Sequence, residues 1–440
     1  MKKKLLITAL IILSTTIGHS QNEERKLEQI IKEWAAPDEF PDHVVLSATA
    51  DPSHSIGINW RTLSSNEIGY VEIAKAGPGP DFREKKKRFT AKRTLVNSAI
   101  AEKNGFESSF FEVQINDLTP NTLYAYRVGN DHFKSEWHQF KTAHDQAAPL
   151  SFLYVGDAQN YVLELWSRVI RNAYKKAPNA DFFIHAGDLI NTAHNENEWN
   201  EWFAAGSFIH SEIPAIAVPG NHEYRTFKGS SSSTDKKLSV QWTAQFGFPS
   251  NGPKGLDKTC YYVDYPDTRI IALDSNREIE LQAEWLEKIL AKKDKKWVIV
   301  TYHHPVFSAS TGRDNPDLRL HWKPLFEKYQ VDLALQGHDH TYARGAIFED
   351  TVVLKKDSKS KTVIGPVYVV SVSGGKMYSI DPAGWDEYGA KQGKVGEKTQ
   401  LFQHISIDGD RLIYQSFTAT GELFDRFELL KYKGKNSHFN

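Results

Sequence analysis

At 440 residues the chain is too long for one average domain, and two is the natural expectation. Hydrophobic residues make up 40% and aromatic residues 12%, enough for a sizeable core, which excludes a disordered chain. A formal net charge of −1 carries no basic excess, so nucleic-acid binding is not expected, and the single cysteine excludes an intramolecular disulfide.

Residues 1–20 read as a signal peptide. Lys2, Lys3 and Lys4 precede the apolar run LLITALIIL, and small residues surround a cleavage point near Ser20. That run is shorter than the ~20 residues of a spanning helix, and no later segment reaches that length. No cysteine stands at the cleavage point, so no membrane anchor is expected and the address is periplasmic or secreted. Residues 21–42 form a lead-in. EERKLEQIIKEWA has helical spacing, with Leu27, Ile30, Ile31 and Trp34 on one face, until APDEFPD breaks it with two prolines. From 43 to 144 the texture is all β. SIGINWRT, GYVEIAKA, FFEVQIND and LYAYRVGN are short alternating runs between turn signals, which predict a small β-sandwich. The charge run DFREKKKRFTAKR inside it is expected to be a solvated hairpin.

From 150 to 432, strand-like runs alternate with helical stretches such as Leu163 to Lys176 and Leu281 to Lys293, which predicts α/β layering. GSSSSTD (Gly229 to Asp235) is a low-complexity loop, and Cys260, in the alternating run KTCYYVDY, is expected to be a buried thiol. Five apolar runs end on possible metal ligands. LSFLYV leads to Gly156-Asp157-Ala158-Gln159, DFFIHA to Gly187-Asp188, and IPAIAVP to Gly220-Asn221-His222-Glu223. KWVIVTY leads to His303-His304-Pro305, and VDLALQ to Gly337-His338-Asp339-His340. Ligands bind outside the carboxyl ends of strands in α/β sheets, so these residues are expected to converge. The donors are oxygen and imidazole nitrogen without thiolate, which suits Zn, Mn or Fe. They are too many for one ion. Two-metal hydrolytic sites hold their ions ~3.5–4 Å apart, bridged by a carboxylate.

This ordered set resembles the calcineurin-like metallophosphoesterase superfamily. HVVLSATADPSHSIGINWRT and FEVQINDLTPNTLYAYRVG are similar to the fibronectin type III-like N-terminal domain of its purple acid phosphatase branch. QFGFPSNGP, YYVDY, IIALDSN, QAEWLEKIL and GHDHTYARG match that branch's catalytic domain in order, so the resemblance runs from about His43 to Leu430. It implies an α+β multidomain fold: an all-β sandwich, then an α/β sandwich of two β-sheets flanked by helices. It implies a metal-dependent phosphoric ester hydrolase with two divalent ions, in which a metal-bound hydroxide attacks a phosphorylated small molecule. Carried over by position, Asp157, Asp188 and His340 would hold the first ion. Asp188 would bridge, and Asn221, His303 and His338 would complete the second. His222 would face substrate, stabilising phosphoryl oxygens or protonating the leaving oxygen. The branch places a ferric-binding tyrosine three residues after the bridging aspartate, but this chain has Asn191 there. The expectation is therefore Zn, Mn or Fe(II), without an Fe(III)-tyrosinate. Gln159 stands where related enzymes without the tyrosine often carry histidine, and is either a carbonyl ligand or a hydrogen-bonder behind the ligands.

Several residues carry two readings. His304 either faces substrate or lies in the core, because adjacent strand residues alternate faces. Arg313, with Asn315 nearby, either pairs with phosphate or lies on a surface loop. His185 is expected in the core, Glu223 to orient its loop, and Tyr342 and Arg344 to anchor packing. Trp166, Trp199 and Trp202 are read as core. Phosphate monoesters are the favoured substrates, with a phosphodiesterase or nucleotidase on the same metal core as the alternative. A non-catalytic surface-binding module is the competing class, and five intact motifs argue against it.

Overall fold

The computed structural model describes residues 26–440 apart from 103–104, 228–234, 354–359, 382, 433–434 and 440; for 348–353, 360–364, 432, 435 and 437–439 it describes the backbone alone. The expected signal segment lies outside the described residues, as does GSSSSTD apart from Asp235. Residues 26–35 are helical as the spacing predicts. The apolar face is nevertheless open, from 37% exposed at Ile31 to 58% at Leu27.

The first eight strands are β1 (Asp42–Ser47), β2 (Ile56–Leu63), β3 (Tyr70–Lys75), β4 (Lys87–Thr90), β5 (Lys92–Asn97), β6 (Glu107–Ile115), β7 (Leu123–Gly129) and β8 (His138–Lys141). One sheet runs β1-β2-β6-β5 and the other β4-β3-β7-β8, all antiparallel. Ile58, Trp60, Val71, Phe111, Tyr126 and Phe140 fill the space between them. The charge run is solvated but is not a hairpin: β4 pairs with β3 and β5 with β6, so the chain crosses between the sheets at Ala91. Charge patterning reports exposure and says nothing of partner strand.

The following strands are β9 (Leu150–Val155), β10 (Phe182–His185), β11 (Ala215–Ala217), the two-residue pair β12 (Tyr224–Arg225) and β13 (Lys237–Leu238), β14 (Tyr261–Asp264), β15 (Thr268–Ala272), β16 (Trp297–Tyr302), β17 (Leu333–Gln336), β18 (Tyr342–Val353), β19 (Ser360–Val370), β20 (Lys391–Gly396), β21 (Leu401–Asp408), β22 (Arg411–Thr418), β23 (Leu423–Tyr432) and β24 (Lys435–Phe439). One sheet runs β11-β10-β9-β21-β22-β23, parallel through its first three strands. The other runs β14-β15-β16-β17-β19-β18-β20, parallel from β15 to β19. β24 pairs with both β23 and β19, so the sheets share that edge.

Strand alternation sorts the side chains into layers. Ile299, Leu333, Leu335, Val367 and Val369 face the other sheet, together with Phe152, Ile405 and Tyr414. Their neighbours Val300, Ala334, Tyr368 and Val370 pack under Leu286, Leu290, Leu318 and Phe326 of the covering helices. Burial on both faces explains the near-continuous apolar runs read from the sequence. Trp166, Trp199 and Trp202 are fully buried core, and Cys260 is a buried free thiol.

The two parts are joined tightly. Ser47 of β1 pairs with Ala215 of β11, extending the first sandwich's sheet into the second part. Arg61, fully buried, pairs with Asp42 at 2.6 Å and with Glu196 at 3.2 Å. Among the described residues no helix is long and apolar enough to cross a membrane.

Candidate metal centre and substrate cleft

The five apolar runs end as β9, β10, β11, β16 and β17, three in one sheet and two in the other. Their carboxyl ends meet at one edge of the sandwich. Leaving a parallel strand and turning at once into this space requires unusual backbone. Asp157, Asp188, His338 and His340 all have positive φ, at 52°, 50°, 78° and 51°. Such conformations cost about 1–3 kcal/mol each in non-glycine residues, and they cluster where function requires them. Gly187, at φ 83°, opens the turn before Asp188.

Asp157, Asp188 and His340 present donor atoms within 4.8 Å of one another, and so do His303, His304 and His338. Asn221 joins the second set. His303 Nδ1 faces the Ala186 oxygen at 2.9 Å and must donate to it, so Nε2 is the ring atom that can bind a cation once its proton is displaced. That nitrogen lies 3.2 Å from each of Asn221 Oδ1, Asp188 Oδ2 and His338 Nδ1. Ligands ~2.1 Å from a common cation stand roughly 3–3.4 Å apart, so this spacing fits donors around one ion.

In the first set, His340 Nδ1 donates to the Lys376 oxygen at 2.9 Å, turning Nε2 inward. The Gln159 amide nitrogen lies 2.7 Å from Asp188 Oδ2 and 3.1 Å from His340 Nε2, while its buried Oε1 has no partner among the described residues. Exchanging amide oxygen and nitrogen would put the oxygen among these donors, the place a ligand occupies. Both sets therefore fit a cation, and they meet at Asp188. The protein's own charges leave the site unbalanced. Burial pushes the Asp157 carboxyl well above its usual range and holds His340 down at about 3. Burial also opposes charge on His303, but Asp188 lifts it to about 9. Cations between these groups would relieve both strains.

Glu223 ties the turns together, as its loop-orienting role predicts. Fully buried, it accepts the Asp188 and Gly220 N–H groups at 2.9 and 2.6 Å on Oε2, and that of Leu189 at 2.8 Å on Oε1. Burial, then the Asp188 charge, raises its pKa to about 8. The His222 N–H donates to Asp188 Oδ1 at 2.9 Å, and its Nδ1 lies 2.6 Å from the Asn191 oxygen.

His304 is not sorted by strand alternation, because β16 stops at Tyr302. Its Nδ1 lies 2.9 Å from Ser275 Oγ, and its ring centre lies 4.3 Å from that of His338. Arg313 is at the site, donating to the His338 oxygen at 3.0 Å, whereas Asn315 donates to the Pro305 oxygen at 2.9 Å. His185 is core, stacked at 5.1 Å on Phe183. Tyr342 and Arg344 both bind the buried Asp425, at 2.7 and 2.6 Å. A cleft of about 590 Å³ opens beside Asn221 and His304, lined also by Tyr224, Lys236, Asn276 and Arg277. A smaller one of about 310 Å³ lies along His222 and Asn191. The sequence did not single out Ser275 or Asp274, which accepts the Tyr224 hydroxyl at 2.5 Å. The Asp-Ser-Asn after β15 was the available signal.

Residues 137–342 match the calcineurin-like phosphoesterase family. The chain therefore carries a calcineurin-like phosphoesterase domain. Residues 41–142 match the purple acid phosphatase N-terminal domain. The chain is 25% identical over 327 residues to purple acid phosphatase 21 of Arabidopsis thaliana, covering 72% of this chain and 69% of that one. It is 26% identical over 434 residues to the same plant's probable inactive purple acid phosphatase 24, covering 86% and 68%. A nucleotide pyrophosphatase/phosphodiesterase of Hordeum vulgare is 26% identical over 269 residues, covering 54% and 72%. The purple acid phosphatase PPD1 of yellow lupin seeds shares the fold, with a TM-score of 0.69 over 90% of this chain and 75% of that one at 18% identity.

Proposed function

We propose that this chain is an exported two-metal phosphohydrolase acting on phosphate monoesters. The observation that carries the proposal is the meeting of two inward-facing donor sets at the single carboxylate of Asp188. Two divalent ions there would bring the pKa of a bound water toward neutrality and clamp the attacking and leaving oxygens. Asp157, His340 and Gln159 hold one side, and Asn221, His303 and His338 the other. Because the Asn191 carbonyl accepts from His222 Nδ1, the acid is the doubly protonated ring, which passes its Nε2 proton to the leaving oxygen and keeps the one on Nδ1. Arg313 and His304 border the phosphoryl position from the His338 side. No serine or cysteine nucleophile motif accompanies the set, so transfer to water is one direct displacement without a phosphoenzyme. Export rests on residues 1–20.

Asn191 cannot supply a phenolate, so the bound metals are Zn, Mn or Fe(II) and the protein is colourless. Elemental analysis should find two divalent ions per chain and no strong visible band. p-Nitrophenyl phosphate should be turned over faster than bis-p-nitrophenyl phosphate, and a chelator should abolish both activities. The reverse preference would favour a phosphodiesterase or nucleotidase, which the 590 Å³ cleft and the Hordeum vulgare relative support. Metal binding without turnover of either ester would favour a binding module.

A further inference from the structure

His222 lies on a short turn between β11 and β12, so its ring needs an external hold. That hold is the Asn191 backbone oxygen, 2.6 Å from Nδ1. A carbonyl only accepts, so this contact sets the proton on Nδ1 and fixes the angle at which Nε2 faces the cleft. Residue 191 itself belongs to no strand or helix: none intervenes between His185 and Glu196.

What steadies the segment is Glu198. Its Oε2 accepts the N–H groups of Asn191 and Thr192, each at 2.7 Å, and its Oε1 accepts Asn195 Nδ2 at 3.0 Å. Glu198 occupies the first turn of helix Glu196–Gly206, where the helix dipole favours a carboxylate. An Asn-x-x-Glu start is ordinarily a reciprocal cap, in which the glutamate returns to the N-cap N–H. Here the carboxylate reaches further back, to residues 191 and 192.

The geometry assigns Glu198 a positioning role: through these two N–H groups it holds the Asn191 carbonyl against His222 Nδ1, and so aims Nε2 at the leaving oxygen. This rests on the acid role of His222 proposed above. It also gives position 191 a use in this chain that depends on its backbone, where the tyrosine-bearing branch uses a side chain.

A mere helix cap would lower stability and treat all substrates alike. A positioning residue for a proton donor discriminates by leaving group, because a more basic leaving oxygen depends more on protonation. In Glu198→Ala, two ions should remain bound and KM should hold within about twofold, while kcat falls ~10-fold further for phenyl phosphate than for p-nitrophenyl phosphate. Glu198→Gln, which keeps an acceptor oxygen, should recover most of the loss. Glu198→Asp, which withdraws the carboxylate by one methylene, should show the same ester dependence at smaller size, so the test survives poor folding of the alanine variant. Equal losses on both esters would overturn the assignment. Nitrogen-15 imidazole spectra of the zinc-loaded protein, assigned with His222→Gln and recorded with the ring neutral, as it is left after giving up its Nε2 proton, should show the Nδ1–H tautomer in the native chain and its loss in Glu198→Ala. An unchanged tautomer would also overturn it. That measurement needs no turnover, so it separates failure of this inference from failure of the phosphatase proposal.

Discussion

Gly220→Ala isolates the packing that holds Asp188, the carboxylate proposed to bridge the two ions. Gly220 has φ −90° and ψ −175°, which alanine adopts freely, so the substitution probes space and not backbone freedom. A Cβ there would meet Asp188 Oδ1 at 2.1 Å, the Asp188 nitrogen at 2.4 Å and Asp188 Cγ at 2.8 Å. Ordinary contact starts at 3.4 Å. The Asp188 carboxylate or the Gly220 turn must therefore move by roughly 1.3 Å in a close-packed interior. Metal–ligand distances tolerate about ±0.2 Å, so either movement takes Asp188 or its neighbour Asn221 out of range. The expected result is fewer than two ions per chain and a fall of ~10²-fold in kcat/KM, the scale of a 1 Å misplacement. Overpacking costs about 1–3 kcal/mol, so the variant should still fold. Gly77→Ala is the control, since among the described residues its added Cβ meets nothing closer than Phe82 Cβ at 3.7 Å. Metal content and affinity measured by elemental analysis and titration calorimetry decide the matter. Native values in Gly220→Ala would refute the claim that this contact sets the bridge.

His222→Ala should keep both ions, because the N–H that meets Asp188 belongs to the backbone, while turnover falls ~10²–10⁴-fold. Full activity would remove the histidine from the mechanism. Arg61→Ala should lower stability to denaturant by about 3–5 kcal/mol, since it strands Glu196, which is only 1% exposed at its side chain. Replacing Arg61 and Glu196 together by apolar residues should recover part of that loss, and additive losses would show that the pair is not coupled.

Much of the site was legible because short buried strands leave a plain mark: a continuous apolar run followed by a turn and a donor. Asp157, Asp188, Asn221, His303, His338 and His340 were all read this way, and the fold brings them together. His304 was less legible, since strand alternation cannot sort a residue beyond the last ladder bond of β16. Arg313 was ambiguous as a loop residue until the fold placed it on the His338 carbonyl. The exposed face of the 26–35 helix shows the converse, because amphipathic spacing tells which residues share a face and not whether anything covers it.

The sequence by itself determined the candidate donor types, their order along the chain and the asparagine at position 191, all of which are properties of single residues and their neighbours. Only the tertiary structure decided that donors from two sheets meet at Asp188, that Glu223 ties their turns, and that the carbonyl of Asn191, steadied by Glu198, holds His222. These last contacts run through backbone groups, which every residue carries alike. No pattern of side chains can announce them before the chain has folded.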